Sequence, residues 1–263
     1  MIHPTAIIHP QAKLGANVRV GAHAVIDAEV ELGHDCVVGP LVHLTGATTI
    51  GAGNRFHAGC VIGDAPQDLK YKDEATRLVI GETNVFREHV TVHRSNKLSE
   101  ATEIGSHNFF MAGSHVAHNC LIGNHAILAN GATLGGHVTV QDRAFISGNC
   151  LVHQFCRVGL LSIMQGGSAI SKDLPPFTVA RGDNGICGLN TVGLRRAGYR
   201  SEERMELKKL YHLLFRSRKS FRSALAEAQS HFTSAGARVM LDFVSAAQRG
   251  VCADTGKHHP DET

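Results

Sequence analysis

The chain of 263 residues contains no tryptophan, and aromatic residues make up only 5% of it. A core without large rings has to be filled by many small aliphatic layers, which favours a repeat architecture over an irregular globular core. No segment approaches the ~20 consecutive apolar residues of a transmembrane helix, so we expect no stable membrane insertion. The first residues also lack the basic region and the apolar stretch of a secretory signal peptide.

A Leu, Ile, Val, Phe or Met residue returns at every sixth position from Ile2 to Ile170, and only Asp68 and Glu74 interrupt this series. An α-helix cannot produce the pattern, because its period of 3.6 residues drifts out of phase within two turns. The fourth position after each member of the series is mostly small, so each hexad describes a short strand followed by a turn. Three hexads close a triangular coil, and successive coils stack as parallel strands ~4.8 Å apart. The sequence therefore predicts a parallel β-helix.

The seven cysteines are an odd number, which argues against a complete set of disulfide bonds. Five of them occupy the small inward position of a hexad, namely Cys36, Cys60, Cys120, Cys150 and Cys156. Cysteine at such a position fills a small apolar space more often than it binds a metal. The thiols and the missing signal peptide together predict a reducing, cytoplasmic location.

Two charged stretches, 64–79 and 94–103, lack the inward pattern and are predicted as loops inserted into the coil. Loops of this length on a rigid scaffold usually carry function.

The repeat ends near residue 174, so the coil is predicted over residues 1–174 and a connecting segment over 175–200. A small α-helical domain is predicted over 201–250, with Ser201 as the N-cap of its first helix. The polar residues 251–263 are predicted to form a disordered tail.

The 18 histidines are the main source of candidate chemistry, and none of those in the repeat takes an inward position. Adding one coil of 18 residues to His118 gives Gly136, and a further coil gives Gln154, so the three share one corner of the triangle. Three more histidines lie beside this column, namely His115, His137 and His153. A neutral imidazole can accept a hydroxyl proton, and a glycine N–H one coil away can face a developing oxyanion. The column holds no Ser or Cys nucleophile, which favours direct transfer over a covalent enzyme intermediate.

Seven segments carry the signature of one known family. Three of them contain the histidine column, namely HVAHNCLIGN (115–124), GGHVTV (135–140) and VHQFCRVG (152–159). The other four are PQDLKY (66–71), VTVHR (90–94), DLPPF (173–177) and NTVGLRRAGY (190–199). Over about residues 1–220 the chain resembles the hexapeptide-repeat acyltransferases that acylate UDP-N-acetylglucosamine on oxygen at the start of lipid A biosynthesis.

The resemblance implies a left-handed coil, no cofactor, no metal, and transfer of an (R)-3-hydroxyacyl chain from acyl carrier protein to the 3-hydroxyl of UDP-N-acetylglucosamine. It makes His118 the general base and the N–H of Gly136 the donor to the thioester oxyanion. Gly166 falls where the family limits acyl length, and a glycine there predicts a long chain. The implied substrate-binding residues are Asp68 and Lys70, reaching across a subunit boundary, together with His93, His115, His137, His153, Gln154, Asn190 and Arg196.

The chain departs from the family pattern at three positions. Asn119 stands where the family often has aspartate beside the base, Val192 where an acidic residue is common, and Ala197 where a second arginine can follow. We expect the amide of Asn119 to accept a hydrogen bond from the ring of His118 and to fix its tautomer.

Charge and exposure predict the partners. Residues 190–225 hold ten Lys or Arg against three acidic residues, a surface suited to the acidic acyl carrier protein rather than to nucleic acid. The outward histidines gain a closed, partly dry pocket only against a neighbouring subunit, so we expect a homotrimer.

Four alternatives remain open at this point. A related N-acyltransferase acting on a 3-amino UDP-sugar is disfavoured because the repeats begin at Ile2, leaving no room for its N-terminal domain. An acetyl-coenzyme A transferase of the same fold is disfavoured by the long basic helical region. A zinc carbonic anhydrase would use His107 and His125, one coil apart, but the loop 94–103 interrupts the coil that contains His89, so a third histidine need not join them. A non-catalytic scaffold is disfavoured by the histidine column.

Overall fold

The computed structural model describes residues 1–256. Its coil is built from 25 short strands. They are β1 (Ile7–Ile8), β2 (Lys13–Leu14), β3 (Arg19–Val20), β4 (Val25–Ile26), β5 (Val30–Leu32), β6 (Val37–Val38), β7 (His43–Leu44), β8 (Ala47–Ile50), β9 (Arg55–Phe56), β10 (Val61–Asp64), β11 (Arg77–Ile80), β12 (Val85–Phe86), β13 (Thr91–His93), β14 (Ala101–Ile104), β15 (Phe109–Phe110), β16 (His115–Val116), β17 (Leu121–Ile122), β18 (Ile127–Leu128), β19 (Thr133–Leu134), β20 (Thr139–Val140), β21 (Phe145–Ile146), β22 (Leu151–Val152), β23 (Arg157–Val158), β24 (Ile163–Met164) and β25 (Ala169–Ile170).

Every third strand pairs in parallel, which gives the coil three flat faces. The first face runs from β1 through β4 to β25, the second from β2 through β5 to β23, and the third from β3 through β6 to β24. The expected left-handed parallel β-helix of hexapeptide repeats is confirmed. The faces meet at three corners: between the first and second faces, between the second and third, and between the third and first.

The six-residue series forms the core of the coil, because alternate strand residues point inward and stack on the same residue of the next coil. Val92, Val116 and Leu134 are consecutive rungs of the first face, and each is fully buried. All seven cysteines are buried, and none of them forms a disulfide bond within residues 1–256, which agrees with their predicted packing role.

A ladder of buried asparagines crosses the coil where the chain leaves it to form the two loops. The side-chain oxygen of Asn54 accepts a hydrogen bond from the backbone N–H of Asn84 at 2.9 Å, and Asn84 accepts one from Asn108 at 2.8 Å. The third face carries a matching stack of rings with centroids 4.9 and 4.7 Å apart, namely Phe56, Phe86 and Phe110. Both columns tie together coils that are widely separated in sequence.

Both predicted loops are shorter than expected. The first spans 65–76 and the second 94–100, because Arg77 and Ala101 already begin strands β11 and β14. The sequence pattern did not reveal these two strands, because their outward positions include the charged residues Arg77 and Glu103. Leu98, which fits the six-residue series, is 63% exposed in the second loop, so its phase is a coincidence.

The segment 175–200 is more than a connection. Strand β26 (Thr178–Ala180) adds to the third face, β27 (Gly185–Leu189) pairs antiparallel with it, and helix α1 (Thr191–Arg196) follows. The segment closes the end of the coil, where exposed backbone groups would otherwise lack partners.

The C-terminal domain contains helix α2 (Ser201–Tyr211), a π-helical turn (His212–Arg216), α3 (Phe221–His231) and α4 (Ala235–Ser245). Ser201 is the first helical residue rather than the N-cap, since Arg200 takes that position and its N–H donates to Glu203. The predicted apolar face is buried at Leu207 and Leu210 in a second hydrophobic core. Among residues 1–256, no helix is both long and apolar enough to cross a bilayer.

The expected disordered tail needs correction over residues 251–256. Strand β28 (Ala253–Asp254) pairs with β27, and Asp254 accepts hydrogen bonds from the hydroxyl of Tyr211 at 2.5 Å and from Arg216 at 2.7 Å. These buried contacts hold the segment against the helices. Residues 257–263 of the predicted tail lie outside the described residues.

Candidate active site

The first face carries an open groove with a volume of about 780 Å³. It begins at the corner between the first and second faces, where His118, Gly136 and Gln154 follow β16, β19 and β22. The groove residues include His115, His118, Gly135, Gly136, Leu151, His153, Gln154, Ala169 and Asn184. The coil arithmetic therefore brings the three column residues together.

Gly136 leaves the space that the ring of His118 occupies. A Cβ atom built on Gly136 would lie 2.7 Å from both Cε1 and Nε2 of His118, closer than real Cβ contacts allow. The backbone of Gly136 does not adopt the left-handed conformation, so the requirement for glycine is one of space alone. Any side chain at this position would push the imidazole away.

Asn119 holds the other edge of the His118 ring. Its Oδ1 lies 2.9 Å from Nδ1 of His118, and the same oxygen accepts a hydrogen bond from the backbone N–H of Asn96 at 3.0 Å. Its Nδ2 donates to Ser95 Oγ at 2.8 Å and to Glu100 Oε2 at 2.7 Å. These four contacts fix which end of the amide is oxygen, so Nδ1 of His118 must carry the proton.

The unprotonated Nε2 of His118 therefore lies on the side of Gly136. The N–H of Gly136 donates to no group within residues 1–256, and Gly136 lines the groove. A lone pair and an unused N–H thus stand side by side on neighbouring coils. That pairing suits removal of a proton next to a carbonyl oxygen that gains charge.

His93 and His115 form a second pair on the first face. Their rings meet edge to face with centroids 5.0 Å apart, and Thr91 Oγ1 lies 2.7 Å from His115 Nδ1. Burial, reinforced by His93 and His118, lowers the pKa of His115 to about 4, and burial likewise lowers the pKa of His93. Both rings are therefore neutral near pH 7, and Nδ1 of the buried His93 has no hydrogen-bond partner within residues 1–256.

His137 and His153 flank the column in different ways. His137 meets His118 edge to face at 5.3 Å and stacks on Phe155 at 4.6 Å, and burial lowers its pKa. His153 is exposed at the groove, with Nδ1 3.1 Å from the backbone oxygen of Gln154.

The first loop reaches the site through the second. Asp68 Oδ2 accepts a hydrogen bond from Asn96 Nδ2 at 2.8 Å, and Asn96 in turn binds Asn119. Asp68 therefore contacts its own chain, whereas its predicted reach across a subunit boundary stays a prediction. Lys70 is exposed, and its backbone N–H donates to Asp68 Oδ1.

Three predicted site residues lie at other corners. Gly166 is exposed between the third and first faces, at the far side of the groove face. Asn190 lies between the second and third faces, where its amide caps helix α1 by accepting from Gly193 and donates to the carbonyl of Leu161 at 2.8 Å. The structure gives Asn190 a helix-capping role, and its contact with the uridine end stays a prediction. Arg196 is exposed in the last turn of the same helix.

The proposed zinc ligands are arranged as a stack instead. The rings of His107 and His125 lie nearly parallel with centroids 4.9 Å apart, and Nδ1 of His107 lies 2.7 Å from Thr83 Oγ1. Within residues 1–256 no three His, Cys, Asp or Glu side chains are grouped as a metal site.

Sequence reasoning missed the second loop as part of this site. Ser95, Asn96 and Glu100 all contact Asn119, and Thr102 Oγ1 accepts from its backbone N–H at 2.8 Å. The loop lies outside the six-residue period, so no coil arithmetic could place these residues.

A β-helix built from six-residue repeats, with a histidine and a glycine paired at one corner, is typical of a hexapeptide-repeat acyltransferase. Residues 101–136 match the bacterial transferase hexapeptide family, and residues 173–252 match the family described as UDP N-acetylglucosamine O-acyltransferase, domain 2. The chain belongs to the acyl-(acyl-carrier-protein)–UDP-N-acetylglucosamine O-acyltransferases.

Full-length relatives support this assignment. The protein of that name from Halorhodospira halophila is 42% identical over 255 residues, covering 95% of this chain and 98% of the relative. The one from Pseudomonas paraeruginosa is 44% identical over 254 residues, with the same coverage. The UDP-N-acetylglucosamine acyltransferase structure from Bacteroides fragilis superposes with a TM-score of 0.91 at 37% identity, covering 95% of this chain and 99% of that one.

Proposed function

We propose that the protein transfers an (R)-3-hydroxyacyl chain from acyl carrier protein to the 3-hydroxyl of UDP-N-acetylglucosamine, the first step of lipid A biosynthesis. The observation that carries this proposal is the fixed tautomer of His118. Asn119 occupies Nδ1, and Nε2 stands beside the unused N–H of Gly136 in the groove. The family to which the chain belongs supplies the substrate class.

In the proposed reaction, Nε2 of His118 removes the proton of the sugar 3-hydroxyl while the oxygen attacks the thioester carbonyl. The carbonyl oxygen becomes an oxyanion that accepts a hydrogen bond from the Gly136 N–H. The tetrahedral intermediate then collapses, the C–S bond breaks, and the leaving thiolate of the carrier takes the proton back from His118. Ester and thiol are formed without any oxidant, metal or covalent enzyme intermediate.

We assign the remaining predicted residues to the binding of the sugar hydroxyls and of the nucleotide. His93 and His115 are neutral near pH 7. Thr91 occupies Nδ1 of His115, so Nε2 of that ring and the unpartnered Nδ1 of His93 are left for sugar hydroxyls. Gln154 and His153 stand two coils further along the groove than His118. Asp68 and Lys70 follow Gln67, the residue of the first loop that lines the groove. We assign Asn190 and Arg196 to the nucleotide end.

We also propose a homotrimer, which the position of these groups supports. In one chain, Asn190 lies at a different corner from His118, and Arg196 lies on the helix that follows Asn190. A site that combines these residues with His118 needs a neighbouring subunit. Leu151 on the first face and Leu121 on the second are exposed at outward strand positions. Apolar residues on two faces that share a corner suit packing between copies of the coil.

The carrier protein and the compartment are further parts of the proposal. Exposed Lys208, Lys209, Arg218 and Lys219 give the helical domain a basic surface that suits an acidic acyl carrier protein. Seven cysteines that form no disulfide bond within residues 1–256 fit a reducing cytoplasm.

The test is product analysis with purified protein, 3-hydroxyacyl carrier protein of defined chain lengths, and either UDP-N-acetylglucosamine or its 3-amino analogue. We expect an ester product that alkaline hydroxylamine cleaves, measured by mass spectrometry. An alkali-stable amide as the preferred product would instead assign the chain to N-acylation. Sedimentation at assay concentration should show a trimer, and an active monomer would contradict the shared site.

A further inference from the structure

The second loop places a carboxylate behind the base of the proposed reaction. Glu100 Oε2 accepts a hydrogen bond from Asn119 Nδ2 at 2.7 Å, and its other oxygen pairs with Lys97 Nζ at 2.8 Å. Asn119 is only 5% exposed, and its Oδ1 accepts from Nδ1 of His118. A continuous chain of hydrogen bonds therefore runs from His118 through Asn119 to Glu100.

Both hydrogen bonds in this chain point the same way. The Nδ1–H of His118 donates to Oδ1 of Asn119, and Nδ2–H of the same amide donates to the carboxylate. Aligned hydrogen bonds polarise one another, so the amide carries part of the negative charge toward the ring. Negative charge on that side favours the imidazolium that forms when the base takes a proton.

We propose that Glu100 is a positioning residue for His118, acting through Asn119 as the anionic end of a three-residue relay. The inference rests on the proposed function, because it takes His118 to be the base. A carboxylate at position 119 would place negative charge directly beside the His118 ring. In this chain the negative charge lies on Glu100 and acts on the ring through two hydrogen bonds. It adds a residue from the second loop to the machinery of the reaction.

Protons move at only one end of the relay. Nε2 of His118 accepts the hydroxyl proton and later returns it, while Nδ1 keeps its proton throughout. The amide of Asn119 does not titrate, and Glu100 stays ionised because its ion pair with Lys97 holds the pKa of the carboxyl below its usual range. Glu100 therefore contributes charge and orientation rather than a proton.

Other charged and titratable groups also face the relay. His137 meets the His118 ring edge to face, and His93, His115 and Asp68 interact electrostatically with His118. His137 also faces Glu100, beside the ion pair with Lys97. Substitutions at Glu100 or Lys97 leave all these groups in place, but they also change the charge that faces His137. The pH profiles are therefore read together with the double variant at positions 119 and 100.

The first test compares Glu100→Gln with Lys97→Gln in the full-length enzyme. Both changes break the same ion pair, but only Glu100→Gln removes the negative charge from the relay. We expect kcat to fall about threefold to tenfold in Glu100→Gln with little change in KM. Its acid limb in the kcat/KM profile should move about 0.5 pH unit lower, and that of Lys97→Gln should move higher.

The second test uses the double variant at positions 119 and 100. Asn119→Asp alone puts two carboxylates within 2.7 Å of each other without a donor, so we expect about a tenfold loss of kcat. Adding Glu100→Gln supplies an amide donor again and should raise kcat above that of the single variant. Glu100→Gln thus harms the natural enzyme and helps the Asn119→Asp variant.

The outcomes separate the relay from the proposed function. An unmoved acid limb in Glu100→Gln, shifts of the same sign in both loop variants, or an additive double variant would each overturn the relay. If His118→Ala is then still inactive, the base assignment stands without it. Near-normal turnover of His118→Ala would instead overturn the base assignment itself.

Discussion

Two corners of the coil carry histidines on successive turns and use them differently. His107 and His125, between the second and third faces, sit at the third position after an inward residue and stack ring on ring. His118, between the first and second faces, sits one position earlier, faces the bare Gly136 and has an amide behind it. A shift of one residue within the turn separates the rings that stack along the coil from the ring that lies against Gly136.

His137 supports this comparison within the active corner itself. It occupies the third turn position, like His107, and it too stacks on its neighbour one coil away, Phe155. The number of histidines at a corner is therefore a poor guide to chemistry. The groups above and below each ring decide what it can do.

The largest expected effect separates the two corners directly. His118→Ala should lower kcat at least ~100-fold with the fold intact, because a general base contributes on that scale. The matched control is His107→Ala, an exposed stacked ring, which should keep near-normal turnover. Steady-state kinetics measures kcat of both variants, and circular dichroism checks that both keep the fold. If His118→Ala stays active, His115 is the next candidate for the base.

Gly136→Ala should show the next largest effect. The added Cβ would meet the His118 ring at 2.7 Å, so the ring must move, and misplacement of this kind costs about tenfold to 100-fold in kcat. Gly148 occupies the same turn position at the corner between the third and first faces. A Cβ there would meet only the Asn130 carbonyl oxygen at 3.4 Å, so Gly148→Ala should be nearly neutral. Equal losses in both variants would mean that neither glycine is needed for ring placement.

Gly166 brings the third corner into the comparison. A Cβ there would meet only the carbonyl oxygen of Gly148, at the ordinary contact distance of 3.5 Å, so a side chain can begin at this position without a clash. We expect the natural enzyme to prefer long hydroxyacyl donors and Gly166→Met to shift the ratio of kcat/KM toward shorter donors by about tenfold. Competition between donors of different length in one reaction measures this ratio. An unchanged ratio would place the length limit elsewhere.

The smallest expected effect concerns stability. Burial lowers the pKa of His115 to about 4 in the folded chain, while the unfolded chain binds a proton near pH 6.5. The folded state is therefore fully favoured by this group above pH 6.5, and that contribution is lost as the pH falls toward 4. His115→Gln should flatten the acid side of the curve of unfolding free energy against pH. Equal curves for the natural chain and His115→Gln would contradict the assignment.

The period of six was enough to predict the coil, because one inward residue per hexad repeats from Ile2 to Ile170 regardless of what the turns contain. The same arithmetic placed Gly136 one coil above His118. It failed at strands β11 and β14, where Arg77 and Glu103 point outward and make a strand look like a charged loop. It also failed at α1, which is too short to show an apolar period.

The contacts of the second loop could not be predicted for a different reason. The position of Glu100 depends on how an irregular segment folds back over the corner, and no periodic rule describes that path. Asn119 was recognised as a departure from the family pattern, but its partners on the loop have no signal in the sequence. Orientation of the base therefore depends on the least regular part of the coil domain.

The asparagine ladder also links the coils that the two loops separate in sequence. Aliphatic rungs are interchangeable, so a slip by one hexad or one coil would bury nearly the same groups. Asn54, Asn84 and Asn108 are 30 and 24 residues apart, and the amide of each bonds to backbone groups of the next coil. Loss of these partners would leave buried amides unpaired, at about 1–3 kcal/mol each. The ladder thus holds together the two coils on either side of each loop.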